Sequence, residues 1–288
     1  MDTIPSWHYS PVMAKVIVIP ARLASQRLPG KLLRDETGWP LIRHVYQLCL
    51  EVPDVDRVIV AVDGEEIAEV VRGFGGEVVL TEAGLPTGTD RVAEACRSMS
   101  LEEDDLVVNV QGDEPELNPD HVVKLLDLLQ DHPSCQVATL ALRREGKDSA
   151  VDFRNPNRVK VLTDARGRAL QFSRNPLPEG VGESIPEGGW LQHIGVYGFR
   201  NRSLEVFREL PRGDLEQRER LEQLRLLEAG CEIRVVIVEE AAPGIDTEED
   251  YRRFVEKTDR MREDRGGQNP ARNVPAETSD RGEMDYDS

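Results

Sequence analysis

Three cations follow the apolar run Val16–Ile19 in quick succession: Arg22, Arg27 and Lys31, with Gly30 directly before the lysine. Guanidinium forks and an ammonium can hold several phosphate oxygens at once, and a glycine lets the backbone come close to such a ligand. The group reads as a grip for a triphosphate; the other reading is a solvated loop whose cations balance an acidic chain. The stretch is not a Walker loop, because no GxxxxGK[ST] occurs, and no GxGxxG follows to make a dinucleotide fingerprint. Farther on, "VVNVQGDEP" places Asp113 just past a valine-rich run, with Gly112 removing the side chain that would block approach. A carboxylate there can hold Mg²⁺ against phosphate oxygens, or serve as a helix cap or turn residue. Asp246 in "PGIDTEED" has a comparable setting, and with Glu249 three positions on it also fits a helix start. Together the two carboxylates make a metal site that neither makes alone.

Those residues need strands to carry them. Val16–Ile19, Arg57–Val62, Glu77–Leu80 and Leu106–Val110 are short β-branched runs, separated by helical patterns at Leu41–Leu50, Glu65–Phe74, Thr89–Met99 and Pro119–Gln130. That alternation predicts an α/β fold, a mostly parallel central sheet flanked by helices. In such sheets ligands sit beyond the carboxyl ends of the strands, where Arg22, Lys31 and Asp113 fall. The segment "RVKVLTDARGRALQFSR" reads as two strands around an Asp164–Gly167 turn, followed by a Gly/Pro-rich connection from Asn175 to Gly189. A smaller antiparallel insertion or lobe is therefore expected over about residues 150–200. The strand "HIGVYGF", a long charged helix from Asp214 to Ala229, the strand "EIRVVIV" and a last helix from Thr247 complete the prediction.

Composition narrows the function classes. The 288 residues, 39% hydrophobic, suffice for one large domain with a full core. A net charge of −18 opposes a sequence-independent grip on nucleic acid. Four scattered cysteines without a Cys-x-x-Cys pair suggest neither a zinc knuckle nor a disulfide scaffold, and fit a reducing cytosol. No apolar run approaches the roughly 20 residues of a membrane helix, so a soluble, cytoplasmic protein without membrane partners is expected. Residues 1–13 read as an amino-terminal extension, with Met13 an alternative start; 14–265 form the domain, and the polar 266–288 read as a disordered tail.

Seven strings occur in one order: "IPARLASQRLPGKLL", "TGTDRVAEA", "VVNVQGDEP", "NPNRVKVLTD", "HIGVYGFR", "LEQLRLLEAG" and "GIDTEEDYRR". In these, from about Lys15 to Val255, the chain resembles the cytidylyltransferases that activate 3-deoxy-manno-octulosonate (KDO) as a CMP-sugar for bacterial lipopolysaccharide. The resemblance implies a Rossmann-like nucleotidyltransferase fold, a cytoplasmic homodimer, and a CTP-dependent, Mg²⁺-requiring transfer of CMP to KDO. It assigns Arg22, Arg27 and Lys31 to CTP phosphates, Thr87, Gly88, Arg91 and Gln111 to the nucleotide, and Asp113 and Asp246 to the metal. Arg22, Lys31, Asp113 and Asp246 are then the catalytic set. Arg174, His193, Tyr197, Glu222 and Gln223 fall where the family binds the acidic sugar. Read without the family, His193 is a hydrogen-bonded core residue, Tyr197 is strand packing, and Glu222 and Gln223 belong to a solvated charged helix. The chain departs from the family's usual pattern at Thr87 and Asp90, in "SRNPLP" at Asn175 and Pro176 just after Arg174, at Gln192, and in "LEQRERLEQLR". Activation of another acidic sugar, a nonulosonate or an amino derivative of KDO, is the alternative substrate, and a non-catalytic nucleotide-binding module the alternative class.

Overall fold

A computed structural model describes residues 13–24, 27–146, 149–178 and 185–264. The expectations for the segment before Met13 and for the 266–288 tail lie outside the described residues. Strand β1, Lys15–Ala21, runs through the middle of a sheet whose order is β3 (Glu77–Leu80), β2 (Arg57–Val62), β1, β4 (Leu106–Asn109), β8 (Trp190–Arg200), β5 (Val137–Arg144) and β9 (Ile233–Val238). Its neighbours β2 (Arg57–Val62) and β4 (Leu106–Asn109) are both parallel to it, and β3 (Glu77–Leu80) is parallel to β2. Val16 to Ile19 are at most 1% exposed because both faces of the sheet are covered. Ile17 and Ile19 point into a core shared with the helices α1 (Leu41–Leu50), α2 (Glu65–Gly73), α4 (Pro119–Asp131) and α9 (Glu248–Asp264). Val16 and Val18 point the other way, into a core shared with α3 (Gly88–Ser98), α6 (Asn201–Glu209) and α8 (Leu224–Glu228). The strand's two-residue period therefore divides the interior into two layers.

The second half differs from the sequence expectation in three places. Val137–Arg144, to which the sequence reading assigns no element, is strand β5; its alanines and leucines lack the β-branched signature of the other strands. Strand β8, Trp190–Arg200, inserts between β4 and β5 and runs antiparallel to both, while β5 pairs in parallel with β9, Ile233–Val238. The hairpin of β6 (Lys160–Thr163) and β7 (Ala169–Ser173), which follows the short helix α5 (Ala150–Arg154), is the expected antiparallel pair and joins the same sheet through β8. Finally, the expected helix from Asp214 to Ala229 is two short ones, α7 (Asp214–Glu219) and α8, broken at Arg220 with φ 55°. The break buries Leu221 and turns Glu222 toward the start of α3.

Candidate active site

The loop after β1 and the loop after β4 leave the sheet side by side. Gly112 makes this possible: a Cβ there would lie 3.3 Å from Pro20 O and from Ile42 Cδ1. Gly30, at φ 64°, opens a short 3-10 turn, Lys31–Leu33, and takes a left-handed conformation costly to any residue with a Cβ. A third segment arrives after β9, where Ile245 N donates to Asp113 O at 2.8 Å, so Asp246 is laid beside Asp113 by a backbone bond. α9 then clamps that segment. Arg34 bonds Glu248 and lies 4.1 Å over the Tyr251 ring, while Tyr251 Oη donates to Glu36.

Lys31 is the meeting point. Its Nζ bonds Asp113 Oδ2, donates to Ile245 O at 2.9 Å and lies 3.7 Å from Asp246 Oδ1. Arg27 Nη2 reaches the same Asp246 oxygen at 2.8 Å. The two acids, 133 positions apart in sequence, thus share one cation's surroundings. Glu114 adjoins them, and burial, reinforced by Asp113 and then Asp246, pushes its carboxyl up to about 8. Among the described residues no group of three or more His, Cys, Asp or Glu side chains could hold a metal ion. Two carboxylates and a carbonyl around an ammonium are nonetheless hard oxygen donors suited to a divalent cation whose remaining ligands come from phosphate and water.

A cavity of about 810 Å³ opens over this floor. Arg22, Arg27 and Lys31 line one side, with Gln111 and Asp113 beneath; Asn157, Arg174, Arg218, Glu219 and Arg220 line the other. Arg174 is fixed by main-chain acceptors: Nε donates to Glu219 O at 2.7 Å, Nη1 to Pro156 O at 3.0 Å and Nη2 to Arg220 O at 3.2 Å. A guanidinium carries five N–H groups, so this leaves two for a ligand. Gln111 Nε2 donates to Asn109 Oδ1 at 3.1 Å, and its Oε1 faces Gly88. Thr87 caps α3, its Oγ1 accepting from Asp90 N at 3.1 Å.

Other expected site residues lie apart from the cavity. Arg91 is buried, with Nη1 on Thr81 Oγ1 at 2.5 Å and Glu82 O at 3.3 Å, so its cation serves the loop after β3 and does not line the cavity. His193 Nε2 is 3.0 Å from Thr139 Oγ1, and burial pulls its imidazole down to about 3, which keeps it neutral. Its ring packs at 5.4 Å against Tyr197, whose phenol burial pushes upward. Glu222 accepts from Gly88 N and Thr89 N at 3.4 and 3.1 Å, so its carboxylate sits on the start of α3. Gln223 is buried, its Nε2 without a partner among the described residues. Asn157, Arg218 and Arg220 are cavity residues that sequence reasoning missed. Asn157 lies inside the quoted "NPNR", which was the available signal; the two arginines were absorbed into a charged helix that the structure breaks.

The family model described as cytidylyltransferase matches residues 16–234. The chain belongs to the cytidylyltransferase family. A 3-deoxy-manno-octulosonate cytidylyltransferase of Syntrophobacter fumaroxidans is 46% identical over 243 residues, covering 84% of this chain and 96% of that protein. An 8-amino-3,8-dideoxy-manno-octulosonate cytidylyltransferase of Shewanella halifaxensis is 40% identical over 241 residues, covering 83% and 96%. Among solved structures, a CMP:2-keto-3-deoxy-manno-octonic acid synthetase complexed with CTP superposes with a TM-score of 0.79 at 38% identity, over 86% of this chain and 99% of that one. This cytidylyltransferase therefore has the mixed α/β fold of its solved relative, and the family that its sequence resembles is the one it belongs to.

Proposed function

We propose that this cytidylyltransferase transfers CMP from CTP to 3-deoxy-D-manno-octulosonate, releasing pyrophosphate. The observation that carries the reading is the convergence of Asp113 and Asp246 on Lys31 at the floor of a cation-lined cavity, in a chain 46% identical to a relative named for that sugar. In the reaction the sugar's anomeric oxygen bonds to the α-phosphorus while the bond from that phosphorus to the bridging oxygen breaks. The hydroxyl proton is lost to solvent or base, and pyrophosphate takes the electron pair. The chief obstacle is bringing an anionic sugar to an anionic triphosphate, so positioning and charge neutralisation dominate.

Arg22, Arg27 and Lys31 offer donors to the triphosphate and to the departing pyrophosphate. The fixed guanidinium of Arg174 presents its two remaining N–H groups to the sugar from the opposite wall. Asp113 and Asp246 would hold Mg²⁺, whose supply of positive charge to phosphate oxygens lowers repulsion toward the nucleophile. With those carboxylates committed to the ion, Lys31 would be free to offer its ammonium to phosphate. A homodimer, a cytoplasmic location and a place in lipopolysaccharide assembly complete the proposal.

Purified protein with CTP, Mg²⁺ and KDO is expected to release pyrophosphate, and Asp113→Asn to lose nearly all turnover while keeping its fold. Full turnover in that variant removes the role of Asp113. The similarity to the 8-amino-sugar enzyme supports a second substrate, 8-amino-3,8-dideoxy-manno-octulosonate. Pyrophosphate release from KDO and from its 8-amino derivative, compared as kcat/KM, decides between them.

A further inference from the structure

Beside the cavity, the element that carries the Arg174 wall is joined to the start of α3, next to Gln111, by a buried ion cluster to which the family resemblance assigns no role, although Asp90 and Arg225 lie in two of its strings. Arg225 in α8 is 4% exposed, and its partners Asp90 and Glu216 are 6% and 5% exposed. Nε and Nη2 each donate to one oxygen of Glu216 at 2.8 Å, Nη1 donates to Asp90 Oδ1 at 2.9 Å, and the Phe207 ring lies 3.9 Å from the guanidinium carbon. Each partner leads toward one side of the site. Asp90 accepts from Thr87 Oγ1 at 2.6 Å, fixing the first turn of α3 beside Gln111. Glu216 belongs to α7, whose last residue, Glu219, accepts from Ser173 Oγ and Arg174 N and whose carbonyl holds Arg174 Nε.

We propose that Arg225 is a positioning residue that sets the separation between the start of α3 and the Arg174 wall, and so the placement of the acidic sugar against the nucleotide. The inference deepens the reaction proposed above and rests on it. The two elements are unequal in rigidity. α3 is seated in the core by Val92, Ala93, Ala95 and Cys96, all 0% exposed. α7 and α8 have six and five residues, well below the roughly 12–15 that an isolated helix needs, and the left-handed Arg220 stands between them. Leu221, Leu224 and Leu226 seat the corner in the same core and Glu222 ties it to the start of α3, but its orientation is set by the Arg225 fork. A bidentate guanidinium fixes direction as well as distance, which an ammonium cannot. Loosening the tie moves the light element, α7–α8 with the Arg174 wall, and leaves α3 in place.

Arg225→Lys tests this in the full chain, because it keeps a positive charge between the two buried carboxylates and removes the fork. The expected result is a KM for KDO raised about tenfold at saturating CTP, a part of the roughly 100-fold that a displacement near 1 Å at a reacting centre can cost, with CTP affinity by calorimetry unchanged. An unchanged KM for KDO overturns the proposal. So does a parallel loss of CTP affinity and sugar KM that tracks lowered thermal stability, the mark of a cluster that only holds the fold. Should the lysine variant not fold, the triple variant Asp90→Leu, Glu216→Met, Arg225→Met replaces all three buried charges with apolar side chains of similar size, a change such clusters tolerate. It must show the same sugar-side defect, and a wild-type KM for KDO in it overturns the proposal. Wild-type protein that releases no pyrophosphate from CTP and KDO removes both the reaction and the coupling. Turnover by wild type with an unaltered sugar KM in Arg225→Lys removes the coupling alone.

Discussion

At the scale of single residues, this protein uses the same side-chain types in opposite ways depending on water. Lys31 and Arg27 keep their cations at the cavity and meet acids there, whereas Arg91 spends its guanidinium on a hydroxyl, a carbonyl and, at 3.9 Å, Asp63 inside the fold. A basic residue at a helix start therefore does not by itself name a ligand contact; its depth decides. His193 has a testable consequence of the same kind. Its folded pKa of about 3 lies below the ordinary 6.5, as does that of His44 at about 4, drawn down by burial and by Arg262 and Arg43. The unfolded chain takes up these protons first as pH falls, so the stability the neutral rings contribute is present above about pH 6.5 and is lost toward the folded values. Thermal midpoints measured from about pH 7.5 down to about pH 4.5 should fall less steeply for His193→Gln than for wild type. An identical slope would mean that the imidazole is protonated in the native protein.

At the scale of elements, the decisive fact is how closely the loops after β1 and β4 pass. Gly112→Ala would place a methyl group 3.3 Å from the Pro20 carbonyl, tighter than ordinary packing. The expected outcome is a loss of about 1–3 kcal/mol in chemical denaturation, typical of overpacking, together with a larger drop in turnover than in CTP affinity, because Asp113 shifts with its loop. A variant with wild-type turnover would show that the loops separate freely. This region was legible in the sequence because each piece of chemistry follows a β-branched run, so strand ends and site residues could be read together. The break between α7 and α8 was not legible, since Arg220 is neither glycine nor proline and its left-handed backbone is imposed by burial of Leu221 and by the ties of Glu216, Glu222 and Arg225. Strand β5 was hidden for a related reason: its alanines carry no period that separates a buried strand from a buried helix.

For the molecule as a whole, the parallel half of the sheet could be inferred from alternation alone, but the direction of β8 could not. An 11-residue strand reads the same in either orientation, and only its partners, β4 on one side and β5 on the other, make it antiparallel. The acids of the floor are likewise a property of the completed chain, because Asp113 and Asp246 meet only once β9 has been laid beside β5. The late arrival of β8 also has a consequence for biogenesis. While the ribosome is still making residues 145–189, β4 presents one unpaired edge and β5, whose partners β8 and β9 both come later, presents two, and open edges recruit other chains. A chain halted at residue 150 should therefore precipitate or stay bound to chaperones, while one released after residue 264 should be soluble; sedimentation of stalled nascent chains would tell the two apart. The strand that closes the sheet is also a checkpoint on synthesis, so truncations ahead of it leave sticky fragments and not a working half-enzyme.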